Sequence, residues 1–373
     1  MVSVFFCTAL VLLLSGVSIA LTVGVSSISY IFLKDIQSSI VVQRLFSGID
    51  SAALLAIPFF ILAGDLMNLG GLAKRLVDLA NIVVGRMTGG LAIVTIIGCM
   101  FFAAISGSGV ATAAALGAVM IPAMVAIGYD REYASAVVAS AAPMGVIIPP
   151  SISFIIYGIL TGTSIADLYL AGIPAGAIMG LCLMAVAYYH CKQKGYRGAD
   201  VAFNISDAWK AFKEASWALG TPVILIGGVF GGIFTPTESA VVAVVYALVI
   251  GIYIYKDIKW SDVPRIFLSS ATTSAKIMFI IANASLFAWV LAFERIPQQI
   301  VEVFMAMSSD PIVILTIINV LLLLAGCFME TSAILIITVP LFLPIIQKIG
   351  IDPVHFGIIV TVNTAIGLLT PPF

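Results

Sequence analysis

The sequence predicts an all-α polytopic membrane protein built from two inverted repeats, each with a re-entrant helical hairpin and a broken helix. Three observations predict this fold: an apolar composition, a series of long charge-free stretches, and a duplicated pattern of Gly and Pro. Of the 373 residues, 62% are hydrophobic and 9% are charged, whereas about a quarter of the residues of a soluble domain carry charge. The composition therefore excludes an ordinary soluble protein.

The charged residues and the cysteines exclude several further classes. The 17 Lys and Arg residues balance 18 Asp and Glu residues and form no basic tract, so we expect no nucleic-acid binding. The five cysteines form no C-x-x-C pair, which argues against a zinc site or a disulfide framework. We therefore expect no cofactor apart from bound ions.

Charge-free stretches predict the elements that lie in the lipid bilayer. The first 33 residues carry no charge, which fits either one tilted helix or a pair of helices hinged near Ser15-Gly16. The repeat described below favours the pair. Further charge-free stretches run over residues 51–64, 87–129, 133–166, 168–191, 215–237, 239–255, 277–293, 311–329, 331–347 and 356–373.

Two of these stretches contain an interruption. Residues 106–109 read Ser-Gly-Ser-Gly, and such small flexible residues predict the tip of a helical hairpin at about 88–128. The Pro149-Pro150 pair removes two backbone donors and disfavours helix before it, so we expect a helix at about 131–162 that is broken there. Irregular backbone at membrane depth is tolerated where it is buried in protein or lines a watery cavity. Both places are therefore candidate binding sites.

An internal repeat duplicates this arrangement. At an offset of 222 residues, eight of 29 positions are identical, against roughly two or three expected for so apolar a composition. The matched residues are Pro122, Ile127, Gly128, Asp130, Val138, Gly145, Pro149 and Pro150 with Pro344, Ile349, Gly350, Asp352, Val360, Gly367, Pro371 and Pro372. Inverted repeats of this kind are typical of secondary transporters, whose binding sites lie near the middle of the membrane between broken helices.

The repeat predicts the organisation of the whole chain. We expect a first repeat over 1–190, a cytoplasmic connector over 191–218 and a second repeat over 219–373. The second repeat would hold a hairpin at about 311–349 and a broken helix from about 353. The first repeat continues well past its Pro pair whereas the second stops at Phe373, so we expect the C-terminal part to be incomplete.

The basic residues predict the orientation. Counting spans outward from the basic segment 190–213 puts 13 of the 17 Lys and Arg residues on one face. Lys34, Arg44, Arg295 and Lys348 fall on the other face. Because cytoplasmic loops carry the excess of positive charge, the crowded face is predicted to be cytoplasmic.

The two tips and the two breaks predict two sodium sites. Carbonyl groups left unpaired at the ends of half-helices, together with nearby hydroxyls, supply the oxygen ligands that this ion needs. We assign Ser106, Ser108, Gly145, Ile148 and Pro150 to the first site. The second site has Gly326, Glu330, Thr331, Ser332, Gly367 and Thr370. Close helix packing is the alternative role for any single Gly or Ser, and the duplication favours binding.

Other polar residues allow two interpretations. Thr112, Ser151 and Ser153 lie near the N-terminal ends of half-helices, where partial positive charge suits an anionic substrate; alternatively their hydroxyls bond within their own helix. Asp65 is either an intramembrane functional carboxylate or a residue at a helix end in water. Glu238 fits a helix N-terminus with Thr237 as its cap.

Five segments resemble the large membrane subunit of tripartite ATP-independent periplasmic (TRAP) transporters, the DctM family. They are residues 55–65 (LAIPFFILAGD), 105–115 (ISGSGVATAAA), 144–151 (MGVIIPPS), 232–240 (GIFTPTESA) and 369–373 (LTPPF). The resemblance covers almost the whole chain and is nearest to members of the sialic-acid type.

This resemblance implies sodium-driven uptake of an organic acid, such as sialic acid or a C4-dicarboxylate, by an elevator-type motion in a bacterial inner membrane. It also implies two protein partners, a small four-helix membrane subunit and a soluble periplasmic binding protein. The chain departs from the family pattern in its missing C-terminal segment, and it does not contain the small subunit.

Three competing functions remain. A stand-alone sodium/anion symporter of related fold would share the motifs. An intramembrane enzyme is disfavoured because the sequence has no H-E-x-x-H motif and no His near Ser106 or Ser108. A channel would more typically carry rings of charge. We therefore expect a carrier without enzyme activity.

Overall fold

The computed structural model describes residues 2–196, 198 and 205–371, and within these residues the chain forms α-helices and no strands. The helices of the N-terminal half are α1 (Val2–Leu14), α2 (Ile19–Leu33), α3 (Ser39–Ser47), α4 (Ala56–Leu69), α5 (Leu72–Val84), α6 (Gly90–Ser106), α7 (Gly109–Ala126), α8 (Arg131–Ala141), α9 (Met144–Ile147), α10 (Ile152–Thr161) and α11 (Ile165–Lys194). Those of the C-terminal half are α12 (Ile205–Phe230), α13 (Pro236–Val249), α14 (Val263–Phe293), α15 (Ile296–Met307), α16 (Pro311–Gly326), α17 (Thr331–Lys348) and α18 (Pro353–Gly367). The predicted all-α class is confirmed.

The described residues pack into two compact units, each assembled from separate parts of the chain. The first unit takes its residues from 1–55, 155–164 and 271–373, and the second from 56–154 and 165–270. Seven helical stretches in the described chain are long and apolar enough to cross a membrane. The assignment of 1–190 and 219–373 to two repeats stays a prediction, and part of the predicted connector, residues 197 and 199–204, lies outside the described residues.

In the first unit, the N-terminal stretch is a pair of helices, as the repeat favoured. Gly16 takes a φ of +77° between α1 and α2, a left-handed conformation that glycine adopts without a steric penalty. Phe5 of α1 packs edge-on against Tyr30 of α2 and stacks on Phe287 of α14. These rings belong to a buried apolar cluster, so hydrophobic burial holds the pair against α14.

Each unit contains one of the two predicted hairpins. In the second unit α6 and α7 are joined by Gly107-Ser108, and in the first unit α16 and α17 are joined by residues 327–330. Helix α17 begins and ends 222 residues after α7, and α18 begins 222 residues after α8. The structure therefore repeats helix boundaries at the offset that the sequence matches.

The first broken helix lies where the sequence predicts it. Helix α8 is followed by the short α9, and Ile148 then takes an extended conformation with φ −81° and ψ 127°. The chain resumes as α10 after Ser151. The sequence predicts the equivalent break of the second repeat at Pro371-Pro372, and Pro372 lies outside the described residues.

The turn between α12 and α13 corrects one expectation. The N-cap of α13 is Thr235, and not Thr237 as predicted. The Thr235 hydroxyl accepts the backbone N–H of Glu238 at 3.2 Å, while the Glu238 carboxylate accepts the N–H of Thr235 at 2.8 Å. This is a reciprocal capping box. Pro236 occupies the first turn, where no N–H is needed, and this shifts the cap two residues upstream.

Candidate functional site

The first candidate site is the hairpin tip between α6 and α7, in the second unit. Helix α6 ends at Ser106, and Gly107 follows with a φ of +61°. Ser108 then caps α7, because its hydroxyl accepts the N–H of Ala111. This turn brings Ser106 Oγ to 3.2 Å from Thr112 Oγ1 and 3.3 Å from the carbonyl oxygen of Ser108. Three oxygen atoms of the tip therefore converge.

Thr112 belongs to this oxygen cluster. Its side chain is fully buried, and its hydroxyl donates a hydrogen bond to the Ser108 carbonyl at 2.8 Å. The Thr112 hydroxyl therefore forms a hydrogen bond within its own helix, which is the alternative role that the sequence allows. The same hydroxyl also contacts Ser106. Thr112, which the sequence predicts as a substrate-binding residue, therefore lies beside residues that are predicted to bind sodium.

The break after α9 packs closely against the tip. A Cβ atom placed on Gly145 would lie 2.5 Å from the carbonyl oxygen of Ser108 and 2.7 Å from Thr112 Oγ1. A Cβ atom on Gly107 would lie 2.7 Å from the carbonyl oxygen of Pro150. The two glycines therefore let the backbone of the tip and the backbone of the break approach more closely than any side chain would allow.

Ile148 contributes to this region through its backbone. Its N–H donates to the carbonyl of Met144 at 2.8 Å, closing the short α9. Its side chain reaches the backbone of Gly176 in α11. Any ligand from Ile148 would accordingly be its carbonyl oxygen.

The structure distinguishes the two serines that follow the break. Ser151 Oγ donates to the Val146 carbonyl at 2.6 Å and accepts the N–H of Phe154 at 3.4 Å, so its hydrogen-bonding capacity is used locally. Ser153 is also fully buried, but its hydroxyl has no hydrogen-bond partner among the described residues. A buried polar group without a partner is costly. Of the two, Ser153 is the hydroxyl that a ligand would satisfy.

The second candidate site starts at the tip between α16 and α17, in the first unit. Glu330 caps α17, and its carboxylate accepts both the backbone N–H and the hydroxyl of Ser332 at 3.0 Å. Thr331 is fully buried, and its hydroxyl has no partner within the part of the chain that is described. This tip therefore differs from the first, since a carboxylate takes the place of the serine cap.

The other predicted residues of the second site meet at the end of α18. A Cβ atom on Gly326 would lie 2.7 Å from the Cα of Gly367, so α16 and α18 touch backbone to backbone. The Thr370 hydroxyl donates to the Gly367 carbonyl at 2.6 Å and lies 2.8 Å from Cys327 Sγ. The structure thus brings Gly326, Gly367 and Thr370 together, and their role as sodium ligands stays a prediction. Cys327 was not anticipated.

A pair of amides in the same unit was also missed. The Asn363 amide of α18 donates to the side-chain oxygen of Asn319 in α16 at 2.7 Å and to its carbonyl at 3.0 Å. The side-chain oxygen of Asn363 is buried and, among the described residues, has no donor. An Asn inside a charge-free apolar stretch could have indicated this pair. Burying an amide within a membrane protein costs free energy unless the amide has a hydrogen-bond partner.

Asp65 lies within α4, one turn before the end of that helix, and not at its terminus. The side chain is partly buried, and its carboxylate accepts a hydrogen bond from the Ser270 hydroxyl of α14 at 2.6 Å. The contact joins α4 to the part of α14 that belongs to the second unit, and none of the residues predicted for the tip or the break takes part in it.

Each candidate site combines both ends of the helix dipole. At the first site α6 and α9 end while α7 begins, and at the second α16 and α18 end while α17 begins. Helix C-termini carry partial negative charge and attract cations, and N-termini carry partial positive charge and attract anions. With hydroxyl and carbonyl oxygens at both sites, and the Glu330 carboxylate at the second, such sites suit a small cation beside an anionic group.

Comparisons with known proteins identify relatives along almost the whole chain. Residues 6–373 match the family described as tripartite ATP-independent periplasmic transporter, DctM component. The chain is 44% identical to the isethionate TRAP transporter permease protein DctMQ of Oleidesulfovibrio alaskensis over 96% of this chain and 57% of that protein. The chain therefore spans little more than half the length of that relative.

Two further relatives are covered more fully. The C4-dicarboxylate TRAP transporter large permease protein DctM of Pseudomonas aeruginosa is 43% identical, over 96% of this chain and 82% of that protein. The sialic acid TRAP transporter large permease protein SiaM of Vibrio cholerae is 37% identical, over 97% and 84% respectively.

A solved structure shares the fold. The Alcanivorax borkumensis YdaH transporter, described as having an unusual topology, superposes with a TM-score of 0.59 over 89% of this chain and 77% of its own, at 14% identity. At 14% identity, this match supports a shared fold and nothing further. Taken with the family match and the apolar helices, it leads to one assignment: the chain belongs to the DctM family of TRAP transporters and is a multi-pass inner-membrane protein.

Proposed function

We propose that this chain is the large permease subunit of a sodium-coupled TRAP carrier for a small organic acid. The family membership supports a permease and not an enzyme. The relatives are named for isethionate, C4-dicarboxylates and sialic acid, which are all organic anions at neutral pH. We therefore propose a small organic anion as the substrate, and sialic acid is one candidate within that class.

Sodium coupling rests mainly on the duplicated oxygen clusters. Ser106, Ser108 and Thr112 converge at one tip, and Thr370 and the carbonyl of Gly367 converge at the other break. Both clusters lie at the ends of half-helices, where carbonyl oxygens and hydroxyls of irregular backbone can supply ligands to an ion. One oxygen cluster in each predicted repeat favours more than one coupled ion for each substrate.

The proposed partners are the small four-helix membrane subunit and a periplasmic substrate-binding protein. The motifs at the tips and breaks contain no Arg or Lys, so no guanidinium is available there to bind a carboxylate in the bidentate way. The permease would accordingly have low intrinsic affinity for the acid. Delivery by a binding protein would compensate for that low affinity.

The proposed mechanism is an elevator. The two hairpins and the two broken helices would move together with bound substrate and sodium, while helices such as α11 and α12 stay fixed with the small subunit. Moving intact sites carries the ligands across without dismantling their coordination.

Reconstituted uptake tests the function. The chain and its small subunit would be placed in proteoliposomes with an inward sodium gradient, and uptake of radiolabelled C4-dicarboxylate, isethionate and sialic acid measured with and without the cognate binding protein. We expect uptake of one of these acids that requires both sodium and the binding protein. Ser106→Val or Thr370→Val should abolish it, whereas Ser140→Ala, which removes a hydroxyl bonded only within α8, should not.

Two results would overturn the proposal. Equal uptake with a potassium gradient would exclude sodium coupling. Equal uptake without the binding protein would instead identify the stand-alone symporter.

A further inference from the structure

A cavity of about 340 Å³ lies in the second unit, and its lining contains none of the residues of the tip-and-break site. Its wall is formed by the end of α4, the segment after α13 and the first turns of α14. The lining residues are Leu69, Asp257, Ile258, Asp262, Arg265, Ile266 and Ser269. The volume is in the range of small-molecule clefts, roughly 300–1,000 Å³.

Of the charged residues that line this cavity, Arg265 is the one without a partner among the described residues. Asp257 is neutralised by Arg75, whose Nη1 lies 2.7 Å from the carboxylate and whose guanidinium stacks 3.7 Å from the centre of the Tyr255 ring. The Asp262 carboxylate accepts the N–H of Lys259 at 3.1 Å. Arg265 is exposed and forms no hydrogen bond, ion pair or ring contact with the described residues. It is therefore free to bind an anionic group.

Apart from Ser269, the remaining wall of the cavity is apolar. Ile258 and Ile266 are buried, and Leu69 is exposed for 57% of its surface. A ligand in this cavity would thus meet both a guanidinium and aliphatic side chains. An amphiphile with an anionic head matches that pattern better than a fully polar solute does.

The surroundings are those of a membrane surface. Trp260 and Tyr253 pack edge-on and are exposed for 64% and 62% of their surface, and Trp and Tyr concentrate at the level of the lipid headgroups. Lys256 and Lys259 are exposed in the same segment. This segment lies on the predicted cytoplasmic face, where basic residues attract anionic lipids.

We propose that this cavity binds the headgroup of a glycerophospholipid. Arg265 holds the phosphate, and the glycerol and the first acyl carbons lie against Leu69, Ile258 and Ile266. This proposal is independent of the proposed transport function. It concerns other residues of the second unit, and its test measures lipid binding and not uptake.

Lipid retention provides the test. The purified chain in neutral detergent would be incubated with phosphatidylglycerol or with diacylglycerol of the same acyl chains, and bound lipid counted by native mass spectrometry. Phosphatidylglycerol should be retained in preference to diacylglycerol. Arg265→Gln should lower its retention about fivefold, the effect of removing one cation near a lipid surface, and Arg265→Lys should restore part of it. Lys194→Gln removes an exposed charge elsewhere on the same predicted face and should leave retention unchanged.

Two outcomes would overturn the assignment. One is equal retention of phosphatidylglycerol by wild type and by a folded Arg265→Gln variant, with folding checked by an unchanged melting temperature in lipid-free detergent. The other is displacement of the lipid by inorganic phosphate at equal concentration, which would identify a free anion site.

Discussion

At the scale of single residues, the contact of Gly145 with the first tip is the most restrictive feature of the candidate site. We predict that Gly145→Ala abolishes uptake and destabilises the protein by about 1–3 kcal/mol, the usual range for overpacking. The physical reason is the 2.5 Å that would separate the new Cβ from the Ser108 carbonyl oxygen. Thermal unfolding in detergent and reconstituted uptake measure the two effects.

The matched control lies in α7, in the hairpin that Gly145 contacts. A Cβ on Gly117 would meet Val138 Cγ1 at 3.5 Å and Ile121 Cδ1 at 3.6 Å, which are ordinary contacts. Gly117→Ala should therefore retain uptake and melting temperature. Wild-type behaviour of Gly145→Ala would show that the tip and the break do not need this close approach.

Individual residues were predictable where backbone conformation required their type. Ser106, Gly107 and Ser108 were found because small residues in an apolar stretch predict a turn. Asn319 and Asn363 were missed because the pairing of two amides depends on how α16 and α18 pack. The sequence spacing of 44 residues between them gives no sign of that contact.

At the scale of the elements, the capping box of α13 is a local interaction whose contribution to stability can be measured. We predict that Thr235→Ala lowers stability by about 1 kcal/mol, since loss of an N-cap hydroxyl leaves helix N–H groups without an acceptor. The measurement is the melting temperature in detergent. Thr235→Ser retains the hydroxyl and should restore most of the loss, and an unchanged melting temperature for Thr235→Ala would contradict the assignment of the cap.

Helices were predicted less well at their starts than at their breaks. The Pro149-Pro150 pair locates the first break because proline lacks the donor that a helix requires. The start of α13 was placed two residues late because both Thr235 and Thr237 are possible caps in the sequence. Only the reciprocal bond with Glu238 distinguishes them.

At the scale of the whole molecule, the uneven distribution of Lys and Arg predicts the orientation. In a cysteine-free background, Lys348→Cys should react with a membrane-impermeant maleimide in intact spheroplasts. Lys194→Cys should react only after the membrane is permeabilised. Both positions are exposed at helix ends, so accessibility is limited by the membrane and not by burial. The reverse labelling pattern would invert the topology.

The dipole ends that meet within each candidate site have a consequence for membrane voltage. A bare organic anion entering a cell that is negative inside moves against a potential worth about 2.3 kcal/mol per charge for each 100 mV. A site that offers partial negative charge to a cation beside partial positive charge for an acid allows the two to travel as one assembly. With as many sodium ions as acid charges the voltage no longer opposes entry, and with one more it drives accumulation.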